Sequence, residues 1–232
     1  MSKSLYDYCV ENNRPELLAQ WHTTQNGNLT PKDVFAGGKT KLWWICEIGH
    51  EYRATANDRT TGKTSCPICA GKKVLTGFND LATKNPEIAA QWHPEKNGDL
   101  TPEKVTTFSN KKVWWQCALG HEYQAWVADR AKGKGCPYCA GKRVLAGFND
   151  LATKEPMLAT QWHQELNGDL TPEMVTPGSN KKVWWKCPVG HVWQAYIYSR
   201  TRTTGKTGCP VCAGVVNSKK TTRYTVLVEE DK

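Results

Sequence analysis

The chain has 232 residues, a formal charge of +9, ten cysteines and eleven tryptophans. It holds no run of 18 apolar residues, which excludes a spanning helix, and its opening MSKSLYDYCV has no apolar core of a secretory leader, so a cytoplasmic protein with few disulfides is expected. The positive excess points to a polyanionic partner rather than to a membrane or a small-molecule substrate.

Taken in order, the chain repeats itself three times. Cys46, Cys117 and Cys187 are spaced 71 and 70 residues apart. We place the units at residues 5–74, 75–144 and 145–216, with a tail at 217–232. GFNDLATKNPEIAAQWH (Gly77 to His93) recurs as GFNDLATKEPMLATQWH (Gly147 to His163), and SLYDYCVENNRPELLAQWH is a looser first copy. A unit of this size buries too little for a large core and calls for a staple. No Ser/Pro-rich linker separates the units, so neighbours are expected to touch or to be tightly tethered.

Unit two sets the pattern. Asn85-Pro86-Glu87 predicts a helix start, with a cap, a proline in the first turn and an acid at the positive end. Ile88, Ala89 and Trp92 fall on one face. Asn97-Gly98 reads as a turn, and Thr101-Pro102-Glu103 as a single capped helical turn. Ser109-Asn110-Lys111 leads into a strand from Lys112 to Cys117. The segment Cys117-Ala-Leu-Gly-His121 reverses the chain, with Gly120 (Gly49 and Gly190 in the other units) where φ > 0 is useful. A return strand is expected from Glu122 to Ala128, then a Lys/Gly loop over residues 132–135. Thr221 to Val228 reads as a further strand.

Each unit offers three thiols and an imidazole in two short pairs, C-x3-H and C-x2-C, separated by 15, 14 and 17 residues. Constant spacing within pairs and variable spacing between them is the pattern of two rigid knuckles joined by a loop. Zn²⁺ takes four such ligands tetrahedrally. The expected sets are Cys46, His50, Cys66 and Cys69; Cys117, His121, Cys136 and Cys139; and Cys187, His191, Cys209 and Cys212. Four protein ligands close the site, so three structural zinc ions per chain are expected and no catalytic one. Each Zn²⁺ with three thiolates is −1, which leaves the loaded chain near +6. His22, His93 and His163, in Gln-Trp-His, lie outside the close pairs. They are expected to hydrogen-bond at a helix end, where a cationic imidazole is favoured. Cys9 has no counterpart and reads as an apolar thiol.

Charge is sorted within each unit. The helical halves (5–38, 75–108 and 145–178) carry −2, −2 and −4, and the hairpin halves (39–74, 109–144 and 179–214) carry +4, +5 and +6. Strand alternation places Val113, Trp115 and Cys117 inward with Tyr123, Ala125 and Val127. The opposite face carries Trp114, Gln116, Gln124, Trp126 and Arg130 in unit two, and Trp184, Lys186, Gln194, Tyr196, Tyr198 and Arg200 in unit three, while unit one keeps Trp43, Arg53 and Arg59 but has Thr55 in place of an aromatic. The residues expected to contact nucleic acid are Trp43, Arg53 and Arg59; Lys111, Lys112, Trp114, Trp126 and Arg130; and Lys181, Lys182, Trp184, Tyr196 and Arg200. Aromatics interleaved with cations can stack on bases and grip phosphates. Two alternatives stay open: Trp43, Trp114 and Trp184 can instead pack within the protein, and the arginines can pair with an acid such as Asp58 or Asp129, although unit three has Ser199 there.

The segments VWWQCALGHEYQAWVADRAKGKGCPYCAGKRV and GFNDLATKNPEIAAQWHPEKNGDLTPEKV resemble the zinc-ribbon, or treble-clef zinc finger, domain family, found in tandem copies in bacterial and phage proteins. The resemblance covers nearly the whole chain. It implies a small metal-stabilised α+β fold with one zinc per copy on the twelve ligands above. Some related proteins carry a fused nuclease, which suggests DNA by association; here the three units use up the length. The expected function is therefore non-catalytic nucleic-acid binding, DNA before RNA, with no small-molecule substrate. The alternative is a protein-interaction scaffold for a separately encoded nuclease or defence component. The Gly62-Lys63-Thr64 and Gly205-Lys206-Thr207 tripeptides lack the spacing of a phosphate-cradling loop, so no enzyme is expected.

Overall fold

A computed structural model describes residues 3–62, 64–216 and the backbone of 226–227. The chain divides into two compact units, Met1–Lys134 and Gly135–Lys232. The division falls inside the second repeat, in the loop before Cys136.

Each repeat has the same parts: short helices, then an antiparallel two-strand hairpin, then a second knuckle. The hairpins are β1 (Lys41–Ile45) with β2 (Glu51–Thr55), β3 (Lys112–Gln116) with β4 (Glu122–Trp126), and β5 (Lys182–Lys186) with β6 (Val192–Tyr196). The register is the same in all three, with Trp44 opposite Tyr52, Trp115 opposite Tyr123 and Trp185 opposite Trp193. In the third repeat β7 (Val226–Leu227) adds to β6, Val192 opposite Leu227 and Trp193 opposite Val226. The rest of the expected 221–228 strand lies outside the described residues.

A pair of tryptophans forms the centre of each repeat. Trp44, Trp115 and Trp185 are fully buried. Each meets the tryptophan of the Gln-Trp-His segment edge-on: Trp21, Trp92 and Trp162, at 5.7, 5.2 and 5.4 Å between centroids. The indole N–H of the inner tryptophan donates across the hairpin to Ala54, Ala125 or Ala195 O at 3.0–3.1 Å. A large ring is thus buried with its one polar atom satisfied.

The next residue out, Trp43, Trp114 or Trp184, is held by its backbone. Asn26, Asn97 and Asn167 each accept from that residue's N–H at 2.8 Å and donate to its carbonyl at 2.9–3.0 Å. The amide imitates a neighbouring strand and covers the edge of the hairpin. Asn97, expected only as part of a turn, therefore sets the position of the outward tryptophan as well.

The first helix of the second repeat, Leu81–Lys84, is capped by Asp80, which accepts from Thr83 N at 2.9 Å and from Gly77 N at 2.6 Å. Burial works against this carboxylate, but those amides and the Thr83 hydroxyl outweigh it and hold its pKa below the usual range. Asp150 does the same in the third repeat. Asn85 stands at the N-cap of helix Pro86–Ala89, and Thr101 at that of the 3₁₀ turn Pro102–Lys104; neither side chain caps.

The return strand ends earlier than alternation predicts. After Trp126 the chain turns into a short helix, Val127–Ala131, matched by Ala56–Thr60 and Ile197–Thr201. Thr55 caps the first of these, accepting from Asp58 N at 3.0 Å. The expected strand Glu122 to Ala128 is corrected to Glu122–Trp126.

Candidate metal centres

The hairpin carries the first two ligands and the following knuckle the other two. At the hairpin turn Cys46 N donates to His50 O at 3.0 Å and Gly49 N to Cys46 O at 2.8 Å; Cys117–His121 and Cys187–His191 repeat both bonds. The glycine in each turn has φ of 79–98°, the left-handed region that suits a residue without Cβ. In the second knuckle Ala70 N closes onto Cys66 O at 2.9 Å, and Ala140 N and Ala213 N do the same.

These turns gather the twelve expected ligands into three quartets: Cys46, His50, Cys66 and Cys69; Cys117, His121, Cys136 and Cys139; and Cys187, His191, Cys209 and Cys212. Within each quartet all ligand atoms lie within 4.8 Å of one another. Whether they fit zinc is a geometric question. Arms of about 2.3 Å to sulfur and about 2.05 Å to nitrogen, set tetrahedrally, give edges of about 3.8 Å between sulfurs and about 3.6 Å between sulfur and nitrogen. The sulfur–sulfur edges are 3.7 Å (Cys46–Cys69) and 3.9 Å (Cys187–Cys212). The Sγ–Nδ1 edges run from 3.2 to 3.8 Å in the first site and from 3.3 to 3.7 Å in the third, and Cys117–His121 is 3.5 Å. All three sites face the metal with Nδ1. Zinc there would tie two knuckles together and supply the charge that lets three thiols ionise side by side.

The thiols differ in how readily they ionise. Burial works against Cys187, but the Val189 and His191 amides outweigh it and bring its pKa down to about 7. Cys212, hydrogen-bonded to Cys209 and partly desolvated, is pushed up to about 11, and burial first, then its cysteine neighbours, pushes Cys69 up to about 12. In the first and third sites the fold thus favours one thiolate, Cys46 or Cys187, and opposes that of Cys69 or Cys212.

The family model described as a probable treble clef zinc finger domain matches residues 17–72, 88–142 and 158–215. The chain belongs to that family. Comparison with curated proteins finds no match. The treble-clef assignment agrees with what each repeat shows: a two-strand hairpin, short helices and a Cys3His quartet able to hold zinc.

Each repeat turns inward an arginine that alternation places outside. Arg59, Arg130 and Arg200 are buried, with 5–7% of their surface exposed. This corrects their expected place on the outer face. The reason is the short helix: each arginine lies three residues after a fully buried position, Ala56, Val127 or Ile197, and so shares its face. The guanidinium sits 4.5–5.3 Å from the ring of the inner tryptophan. It donates to the glutamine of the Gln-Trp-His segment, Gln20, Gln91 or Gln161, and to the Thr64, Lys134 or Thr207 carbonyl. The expected pairing of Arg59 with Asp58, or Arg130 with Asp129, is not formed: among the described residues no carboxylate pairs with any of the three. Burial lowers the Arg200 pKa to about 10, against the pull of the Cys209 and Cys187 thiols.

The histidine of Gln-Trp-His takes backbone amides of the turn that follows it at Nδ1. His93 Nδ1 takes the Glu95 and Lys96 amides, both at 3.2 Å, and Nε2 donates to Glu122 at 2.9 Å. His22 Nδ1 takes the Gln25 amide, and His163 that of Leu166. Cys9 is buried, and burial raises its pKa.

None of the remaining candidate contact residues is buried. Trp43, Trp114 and Trp184 are half-buried; Arg53, Lys111, Lys112, Trp126, Lys181, Lys182 and Tyr196 are exposed. Arg53 lies 5.7 Å from the Trp43 ring, and Lys96 4.9 Å from that of Trp114. The sequence reading missed one recurrent feature. Ile48, Leu119 and Val189, at the same place in the three hairpin turns, are 63–74% exposed. Gly-His preceded by a large apolar residue was the available signal.

Within each compact unit, a knuckle is fastened to the start of the following repeat. Asn79 donates to Ile68 O at 2.7 Å and Lys73 O at 2.9 Å, and Asn149 donates to Tyr138 O and Arg143 O at 2.7 and 2.8 Å. Phe78 packs edge-on to the His50 ring at 4.3 Å.

Proposed function

We propose that this treble-clef array is a non-catalytic nucleic-acid-binding protein, DNA before RNA, that grips the phosphate backbone through its hairpins. One observation supports this reading above the others. On every hairpin a half-buried tryptophan is flanked by cations, Lys41 and Arg53, Lys111 and Lys112, or Lys181 and Lys182, and none of these pairs with a carboxylate among the described residues. The acids gather instead in the helical halves. Cations left unneutralised on a rigid ribbon suit a polyanion, and binding through them releases counterions. The test is electrophoretic shift of zinc-loaded protein on single- and double-stranded DNA and RNA at two salt concentrations. Binding that weakens steeply with salt is expected; no binding at low salt to any of the four would end the proposal.

A second reading rests on the exposed tips. Ile48, Leu119 and Val189 recur as large apolar residues in water, and such positions suit a protein partner. It predicts a stoichiometric protein partner that survives nuclease treatment and is lost on changing the three tips to serine.

A further inference from the structure

The three hairpins are not equivalent at their open ends. There a lysine faces one outward residue across the strands: Lys41 opposite Thr55, Lys112 opposite Trp126, Lys182 opposite Tyr196. Two positions on, the repeats carry Asn57, Ala128 and Tyr198, and three positions on, Asp58, Asp129 and Ser199. The aromatic content at this end therefore rises along the chain from none to one to two. The acid is present in the first two repeats and missing from the third.

The acid matters because of where it sits. Asp58 borders the first repeat's cleft of about 150 Å³, together with Lys41 and Arg53. Asp129 is held by Lys134 at 2.9 Å. In the third repeat the cleft is about 330 Å³, and Lys182, Gln194, Tyr196, Tyr198, Ser199 and Arg202 line it with no carboxylate among the described residues. Tyr196 and Tyr198 are exposed, with centroids 5.6 Å apart and planes tilted by 31°. Lys182 has no ion pair among the described residues, and Arg202 uses only Nε, on Gly205 O at 2.7 Å, which leaves the outer guanidinium nitrogens available. The cleft thus joins an aromatic wall to two uncompensated cations and a glutamine.

We infer that this cleft is where the array holds an unpaired nucleotide of a single strand, base against Tyr196 and Tyr198, phosphate between Lys182 and Arg202. The inference rests on the proposed nucleic-acid function and narrows it. A duplex keeps its bases stacked and offers only phosphates, so the tyrosines would gain nothing from it. A single strand offers both faces of its bases, and any base suffices.

The experiment measures fluorescence anisotropy of the full zinc-loaded chain with a labelled 12-nucleotide single strand and with the same sequence as a duplex. The variants are Tyr196→Ala with Tyr198→Ala, and Ser199→Asp. The second installs the residue that the first two repeats carry at that place, so the fold accommodates it; three zinc ions per chain verify both. The double tyrosine variant should bind the single strand about 5- to 150-fold more weakly, as expected for the loss of one stacked base, and the duplex unchanged. Ser199→Asp should weaken the single strand several-fold. Wild-type protein that binds the single strand, with variants that bind it equally well, overturns this inference and leaves the array's function standing. Equal weakening for strand and duplex also overturns it, since the cleft would then meet phosphate alone. Wild-type protein that binds neither probe at low salt sinks the broader function itself.

Discussion

Arg130→Met tests the electrostatic interior of a repeat. The guanidinium donates to Gln91 Oε1 at 2.6 Å and to the Lys134 carbonyl, and lies 5.3 Å from the Trp115 ring. Methionine fills similar volume but takes the donor from half-buried Gln91, while the carbonyl of exposed Lys134 can turn to water. The Gln91 oxygen left without a donor costs about 1–3 kcal/mol, and the cation–π contact is worth about 0.5–2 kcal/mol. Relief of the buried charge offsets part of this. A net loss of about 2 kcal/mol is expected, a sizeable share of the roughly 5–15 kcal/mol that holds a domain. The assay is zinc release to a chromogenic chelator across a urea series. One of three zinc ions should leave at clearly lower urea, the other two as in wild type. Arg130→Lys should recover less than half the loss, because one ammonium cannot serve two acceptors in the planar fork geometry. A methionine variant as stable as wild type, or full rescue by lysine, would refute the reasoning.

Cys117→Ser should leave zinc near two per chain by elemental analysis and unfold chiefly the second repeat; a value near three would mean another ligand set. Asn79→Ala removes a buried amide that serves the Leu75 N–H and the Ile68 and Lys73 carbonyls. It should cost about 2–4 kcal/mol and speed zinc exchange from the first site, since Ile68 lies between Cys66 and Cys69; uniform acceleration at all three sites would contradict the assignment. Chelation of all zinc should abolish the hairpin signature in circular dichroism, and re-addition should restore it.

The quartets and the hairpins were legible because ligand spacing and strand alternation are local signals with fixed periods. Trp115 inward and Trp114 outward follow from period two alone. Arg59, Arg130 and Arg200 were misplaced because alternation was carried past the end of the strand. A five-residue helix is too short to show a period of 3.6, and only Thr55-x-x-Asp58 hinted at its cap. Once the helix is recognised, the arginine must turn inward three residues after Ala56. The glutamine of Gln-Trp-His could not be read either. Its partner lies 39 residues away in every repeat, and nothing local distinguishes a glutamine that will meet a buried cation from a solvated one. Asn97 read as a turn former, and the task it shares with Asn26 and Asn167, matching a strand edge, depends on tertiary placement.

The asparagine clasps carry a consequence for how such a protein can be cut or lengthened. Sequence periodicity invites a cut near Val74 or Val144, yet Asn79 and Asn149 reach back across those points. The first two second-knuckles are each pinned by an asparagine of the repeat that follows. An excised first module should therefore keep its neighbour's opening helix through Lys84 if its second knuckle is to stay closed, and a copy added to the array would need to bring that asparagine with it.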